Sequence, residues 1–542
     1  MGLKALWNFV SVGLLGILFF HGSGVSKKGP HPSDLTFTHQ ATDALPVSFY
    51  EYIIVGGGTS GCTLAATLSK RATVLLLERG GSPYGNPNIS SIASFAANLA
   101  DVSPSSPAQA FVSTDGVFNT RARVLGGGTC LNVGFYTRAP ADYVSRAGWD
   151  PKLVEESYEW VEKKIVFRPA MLQWQSAVRD GLLEAGVLPD NGYTFEHIYG
   201  TKVGGTIFDE NGHRHTAADL LEYADPTKII VYLNAVVHQI YLDTKGDVWK
   251  LKPRANGVEF KDAEGHIHKA YLKMGSTNEI ILSAGALGSP QLLMLSGIGP
   301  RPHLLAHGID VVLDQPMVGQ GMSDNPNNVV LIPSPRPVEV SLAEVVGITR
   351  FESYIEALSG SLLNLVGAFG VGEFFKSLAN QTAQNFTQLP KELNPLLNPN
   401  IQVGIIHPLD LERCVKGTKT VIEVLESKPL SSFQYPTLSV RTILRLMLSL
   451  PLNARPRHPG VAFSLEQYCM DTVVTIWHYH GGCQVGRVVD HDYKVLGADG
   501  LRVIDGSTFY ESPGANPQAT VMMLGRYMGQ KILQERFSNG IK

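Results

Sequence analysis

Six consecutive residues, Gly56-Gly57-Gly58-Thr59-Ser60-Gly61, fit the spacing Gly-x-Gly-x-x-Gly, and an acid, Glu78, stands 22 positions after Gly56. In this pattern Gly56 makes the turn, Gly58 lets the backbone approach a pyrophosphate, and Gly61 permits close helix–strand packing. Glu78 is placed to hydrogen-bond a ribose hydroxyl. These residues point to a dinucleotide, and on their own they leave NAD and FAD open. Other reactive residues promise less. His213 and His215 have the spacing of strand neighbours facing one way, but no further ligands accompany them, so no metal is expected. Of the five cysteines, Cys62, Cys130 and Cys483 lie in or beside glycine-rich motifs. By elimination Cys414 and Cys469 are left as a disulfide pair.

The glycines need elements to hold them. Tyr52-Ile53-Ile54-Val55 is an uninterrupted apolar run, the pattern of a strand buried on both faces of a parallel sheet. Residues 62–69 then read as a helix with Leu64, Ala65 and Leu68 on one side, and residues 73–77 as a second apolar strand ending at Glu78. Helix N-terminal N–H groups and the helix dipole favour phosphate at that junction.

The whole chain has 542 residues, more than one core accommodates, so two domains are expected. Apolar residues at 44% and charged residues at 17% indicate a folded protein. A net charge of −3 and the lack of any Lys/Arg-rich block argue against nucleic acid as a partner. Lys4, an apolar run over residues 5–20 and then His21-Gly22-Ser23-Gly24 describe a secretory signal peptide over residues 1–24. The other reading, a membrane anchor, requires a longer run. A secreted, extracellular protein is therefore expected. Asn88-Ile89-Ser90, Asn380-Gln381-Thr382 and Asn385-Phe386-Thr387 are glycosylation sequons consistent with it.

A second glycine segment, Arg121-Ala122-Arg123-Val124-Leu125-Gly126-Gly127-Gly128-Thr129-Cys130-Leu131-Asn132, lacks the Gly-Lys-Ser/Thr of a Walker loop. It resembles the first signature of the glucose–methanol–choline (GMC) oxidoreductases. Residues 285–299, from Gly285-Ala286-Leu287-Gly288-Ser289-Pro290 to Ser296-Gly297-Ile298-Gly299, resemble the second, and they follow the apolar strand at residues 279–283. Leu501-Arg502-Val503-Ile504-Asp505-Gly506-Ser507 matches the strand that returns to the flavin, and Pro517-Gln518 opens a helix to about Arg536. Trp477-His478-Tyr479-His480-Gly481-Gly482-Cys483 and Gly525-Arg526-Tyr527-Met528-Gly529 resemble the plant branch containing mandelonitrile lyases and HOTHEAD-like proteins. The resemblance covers essentially all of the chain after the leader.

It implies FAD as cofactor and an α/β fold, in which a discontinuous Rossmann-like FAD-binding domain carries an inserted substrate domain of antiparallel sheet and helices. The FAD-binding parts are expected at 45–140, 196–305 and 478–542, and the substrate parts at 141–195 and 306–477. The first glycine loop and strand would contribute Gly56, Gly58, Thr59, Ser60, Gly61, Glu78 and Arg79. The second loop would add Val124, Gly128, Thr129 and Asn132. Val237, in an expected strand over 229–237, stands where the family's backbone meets adenine. Ser283, Trp477, His478, Asp505, Gly506, Pro517 and Gln518 complete the expected set.

The resemblance also implies the catalytic pair. His478-Tyr479-His480-Gly481-Gly482 matches the family's His-x-x-Gly-Thr with Gly482 in place of Thr, so His478 ranks first as the catalytic histidine; His480 is the competitor, with a hydrogen-bonded structural role as its favoured reading. The partner is Asn516, in Ser512-Pro513-Gly514-Ala515-Asn516-Pro517. Hydroxynitrile lyases of this branch carry His there. Asparagine does not exchange a proton at neutral pH but does hydrogen-bond an alcohol oxygen. Oxidation of an alcohol, of the long-chain or ω-hydroxy kind if HOTHEAD-like proteins are a guide, is the expected reaction, with oxygen or a quinone-like acceptor. A lyase with non-redox FAD and a flavin-binding homologue without catalysis are the alternatives. Between about Leu362 and Asn398 the family carries more chain, and a few dozen residues of the substrate domain are expected to be missing here.

Overall fold

The computed structural model describes residues 35–244, 252–360 and 407–538, apart from positions 102, 104, 451, 456, 458–462 and 515. The expected signal peptide, two of the three sequons and the region near 362–398 that was expected to be shortened lie outside the described residues.

The apolar runs of the sequence become the strands of a six-stranded sheet. Its order is Thr38–Gln40, Ile229–Leu233, Val74–Leu77, Tyr52–Val55, Glu279–Leu282 and Leu501–Val503. Every neighbouring pair is parallel, with Ile53 opposite Leu75 on one side and Ile280 on the other. Tyr52, Ile53, Ile54, Leu75 and Leu76 are wholly buried. That is why these strands carry no polar alternation: both faces are covered.

One face packs on helix Thr59–Leu68, which starts inside the glycine loop and lies against the C-terminal helix Gln518–Ser538. Gly525 and Gly529, one turn apart, make this approach possible. A Cβ on Gly525 would sit 2.5 Å from the Ser60 carbonyl oxygen, and one on Gly529 would sit 2.8 Å from Thr67 Cβ. The other face carries a four-stranded sheet of Val236–Asp243, Arg254–Lys261, Ile267–Leu272 and Val47–Tyr50. The expected continuous strand over 229–237 is thus two strands in two sheets. The chain turns between them at Asn234, which takes a left-handed φ of 56°.

A separate apolar core gathers helices Gln173–Glu184, Pro408–Glu426, Val440–Ser449 and Leu465–Asp471. They pack on a sheet ordered Tyr354–Glu356, Val345–Ile348, Gly200–Val203, Asp190–Tyr193. This sheet was expected to be antiparallel, yet its Asp190–Tyr193/Gly200–Val203 pair is parallel. The intervening chain doubles back, and the buried Lys202 ammonium holds its Glu196 carbonyl. Gly200–Val203 therefore belongs to the substrate-side sheet, although the expected boundary at 196 assigned it to the FAD-binding part.

A Cys414–Cys469 disulfide staples the Pro408–Glu426 and Leu465–Asp471 helices, while Cys62, Cys130 and Cys483 are buried thiols. Among the described residues no helix is long and apolar enough to cross a membrane, and no cluster of His, Cys, Asp and Glu could hold a metal. His213 and His215 instead face Asp209, and His215 Nδ1 also meets Asp219 Oδ2 at 3.0 Å, beside the Thr216–Asp219 capping box.

Candidate active site

The two glycine loops meet at the carboxyl ends of the Tyr52–Val55 and Val74–Leu77 strands. Gly56 has φ 103°, and a Cβ there would lie 2.5 Å from the Ser283 carbonyl oxygen. Gly126 N donates to the Gly57 oxygen at 2.7 Å, and a Cβ on Gly127 would sit 2.7 Å from Gly58 Cα. Backbone thus touches backbone where the cradle forms. Gly58 is the N-cap of the Thr59–Leu68 helix without a side-chain cap, so the first-turn N–H groups are not taken by a capping side chain. Thr59 and Ser60 begin that helix, and Ser60 Oγ and Ser283 Oγ both donate to the Ile504 carbonyl, tying the helix start to two strand ends.

Glu78 is buried, and burial raises its carboxyl pKa. Its oxygens accept Gly57 N–H at 2.9 Å and Gly80 N–H at 2.8 Å, and each keeps a lone pair for a ribose hydroxyl. Ala235 N donates to the Glu78 carbonyl at 2.8 Å, which brings the strand containing Val237 to the same end. Arg79 turns elsewhere: its guanidinium donates to Gln109 Oε1 and to the Ala122 carbonyl, on the Ala108–Val112/Phe118–Ala122 hairpin. Val124 bridges Gly81 beside that hairpin. Gly128 and Thr129 lie in the short helical turn Gly127–Cys130, with Thr129 Oγ1 donating to the Gly126 oxygen.

Asn132 and Gln518 link the second glycine loop to the C-terminal helix. Asn132 Nδ2 donates to Gln518 Oε1 at 2.9 Å, and Gln518 Nε2 donates to the Phe135 carbonyl. Asp505 accepts from Gly285 N, Ser289 Oγ and Ser507 N, holding the Gly506 turn against the second signature. Pro517 leads into the helix, where its missing N–H costs nothing. A glycine-lined cradle, an uncapped helix N-terminus and a buried acid fit the pyrophosphate and ribose of FAD.

His478 and Asn516 converge from opposite directions. The Val473–Thr475 strand runs into a turn in which Trp477 adopts φ 60°. Asp324 holds this turn by accepting His478 N–H at 2.8 Å and the Thr475 hydroxyl. Burial raises the Asp324 carboxyl to about 6. Asn516 Nδ2 lies 3.5 Å from His478 Nε2, so both can reach one oxygen atom. Asn325 Nδ2 lies 3.1 Å from Nδ1 on the ring's other side. Burial, with His480 adding to it, holds the His478 imidazole down to about 3, well below the ordinary histidine range. His480 is buried, with Nδ1 3.0 Å from the His478 carbonyl and its backbone paired with Ser323.

Four flanking residues had not been singled out from the sequence: Asp324, Asn325, Tyr354 and Glu356. Asn325-Pro326 repeats the Asn-Pro of Asn516-Pro517, but nothing in either stretch says that the two loops meet.

The sequence profile of the GMC oxidoreductases matches residues 50–327 and 385–525 of this chain. Protein HOTHEAD of Arabidopsis thaliana is 50% identical over 534 residues, covering 91% of this chain and 89% of its own. Sinalpyl alcohol oxidase Nec3 of Nesocodon mauritianus is 40% identical, covering 93% and 92%. (R)-mandelonitrile lyase 1 of Prunus serotina is 39% identical, covering 94% and 91%.

Proposed function

Because the chain belongs to the GMC oxidoreductase family, with FAD as its cofactor, we propose that it oxidises the CH–OH group of an alcohol with His478 as base and Asn516 as oxygen-binding partner. When bound, FAD supplies the hydride acceptor, at its N5. His478 offers a neutral imidazole throughout the physiological range, ready to take the hydroxyl proton. His478 takes the hydroxyl proton, and the carbon that bears the hydroxyl gives up its hydride. Asn516 donates its amide hydrogen to the substrate oxygen and holds it toward Nε2. Gly56, Gly58, Gly61 and Glu78 would hold the dinucleotide, with Gly506 and Gln518 near the ring end.

Overall similarity does not choose between chemistries, since an alcohol oxidase and a mandelonitrile lyase match at 40% and 39%. The observation that carries the choice is Asn516 within 3.5 Å of His478. Cyanohydrin cleavage calls for a second side chain that exchanges protons there, and an amide does not. The chain is also read as secreted, which the disulfide supports, since such bonds persist in oxidising compartments. The test is to offer purified holoprotein (R)-mandelonitrile and a panel of primary alcohols in parallel. Alcohol oxidation without benzaldehyde release supports the reading, and benzaldehyde release without alcohol oxidation refutes it.

A further inference from the structure

We propose that Arg214 is a positioning residue for FAD: buried behind the second glycine loop, it locks Asn132 and Gln518 in one arrangement and so shapes the flavin end of the cofactor site. The role stands whichever reaction the flavin serves.

Arg214 is only 7% exposed, and its guanidinium grips three stretches of chain at once. Nε donates to the Ile89 carbonyl at 3.1 Å. Nη1 donates to the Thr129 carbonyl at 3.0 Å, the Asn132 carbonyl at 2.7 Å and Asn132 Oδ1 at 3.2 Å. The backbone is anchored as well, since Arg214 N donates to the Ser90 carbonyl at 2.8 Å. Among the described residues every acceptor of this guanidinium is neutral, and Nη2 is buried with no partner. Burying a charge without a counter-ion is costly, and an apolar side chain of similar volume is often as good for stability. The arginine is therefore to be read by what its bonds fix.

They fix the direction of two amides. Arg214 Nη1 and the Gly134 N–H, the latter at 3.0 Å, can only donate, so the Asn132 side-chain atom that meets both is the oxygen. Asn132 Nδ2 is thereby turned to Gln518 Oε1 at 2.9 Å. Gln518 Nε2 then donates to the Phe135 carbonyl at 2.6 Å, and a carbonyl only accepts. Groups with a single role stand at both ends of this relay, so neither amide can turn over without setting like poles together. The relay joins the second glycine loop to the start of the Gln518–Ser538 helix, the two segments expected to flank the flavin. None of the Arg214 hydrogen bonds goes to Gly56, Gly58, Gly61 or Glu78, which fit the pyrophosphate and ribose.

That separation provides the test. Deflavinated wild type and variants are titrated with FAD, and separately with ADP, which carries the adenosine and two phosphates but no flavin. A lysine at position 214 keeps the charge, but its nitrogen stops one bond short of Nη1 and has no fork to reach Ile89 as well. Arg214→Lys and Arg214→Met should each bind FAD about tenfold or more weakly, the worth of one hydrogen bond to a charged group, with ADP affinity within about twofold of wild type. Asn132→Ala should weaken FAD in the same way. Adding Arg214→Lys to Asn132→Ala should then cost less than Arg214→Lys costs alone, because the relay through which it acts is already cut.

An Arg214→Lys protein that binds FAD as tightly as wild type overturns the proposal, since charge without the fork would then suffice. ADP affinity falling in step with FAD affinity also overturns it, because the loss would then be a general one of structure. So does a full cost of Arg214→Lys on top of Asn132→Ala, which would mean that the arginine does not act through Asn132. If Arg214→Met does not fold, Arg214→Lys and its combination with Asn132→Ala still decide.

Discussion

Replacing Gly61 by alanine places the sharpest load on the cofactor cradle. The added Cβ would fall 1.9 Å from the Gly56 carbonyl oxygen, with Gly56 C at 3.1 Å and Ser283 Cβ at 3.2 Å. A carbon–oxygen contact needs about 3.3 Å, so strand and helix must part by about 1.4 Å. The helix has nowhere to go, since behind it the Ser60 oxygen already stands 2.5 Å from where a Gly525 Cβ would be. Overpacking of this kind costs about 1–3 kcal/mol of stability. Moving the helix N-terminus also misdirects its N–H donors, and losing one bond to a charged phosphate is worth about 1.5–3 kcal/mol, roughly 10- to 150-fold in affinity. The assay is flavin absorbance per chain after gel filtration, followed by FAD titration of the deflavinated protein. Gly61→Ala should lose most of its flavin, while Gly81→Ala, whose Cβ would meet nothing within 4 Å, should keep it. Full flavin occupancy and unchanged affinity in Gly61→Ala would refute the reasoning.

Other consequences are open to direct measurement. His478→Gln should slow anaerobic flavin reduction, measured per bound flavin, by about 10²–10⁴-fold, the usual worth of a general base. Replacing both Cys414 and Cys469 by serine opens a closure of 55 residues, and chemical unfolding should report a loss of about 4 kcal/mol. The Asp324 carboxyl is raised to about 6 in the fold, so the folded chain binds that proton more tightly than the unfolded chain. Its contribution is therefore present below about pH 4 and lost as pH rises through about 6. Asp324→Asn should gain on the wild type over that interval, by no more than about 3 kcal/mol because the group is not sealed from solvent, as read from thermal unfolding at pH 4 and pH 7.

Much of the cofactor side is readable from the chain because each local signal agrees with the fold. Gly56, Gly58 and Gly61 sit between a fully apolar strand and a helix, and Glu78 ends the next strand, so spacing alone places them. Arg79 shows a limit of local spacing: its guanidinium finds acceptors on a hairpin some 30 residues later, partners that adjacency to Glu78 does not reveal. The parallel Asp190–Tyr193/Gly200–Val203 pair is hidden for a similar reason, since a short link between two strands ordinarily signals a hairpin. Tyr354 lies in a three-residue strand too short for periodicity to mark, and it meets Asn516 only through tertiary packing. The histidine pair is intermediate: its motif is visible, but the burial that keeps His478 neutral is not.

The central claim is that His478 and Asn516 serve hydride removal from an alcohol carbon. Its most direct test is anaerobic stopped-flow reduction of the bound flavin by a primary alcohol and by its α-dideuterated form, each in H₂O and D₂O. The account predicts bleaching of the flavin band, slowed by carbon deuteration and by solvent deuteration on the same step. A flavin that stays oxidised with every alcohol, or a rate indifferent to α-deuteration with C–H cleavage isolated, would contradict it.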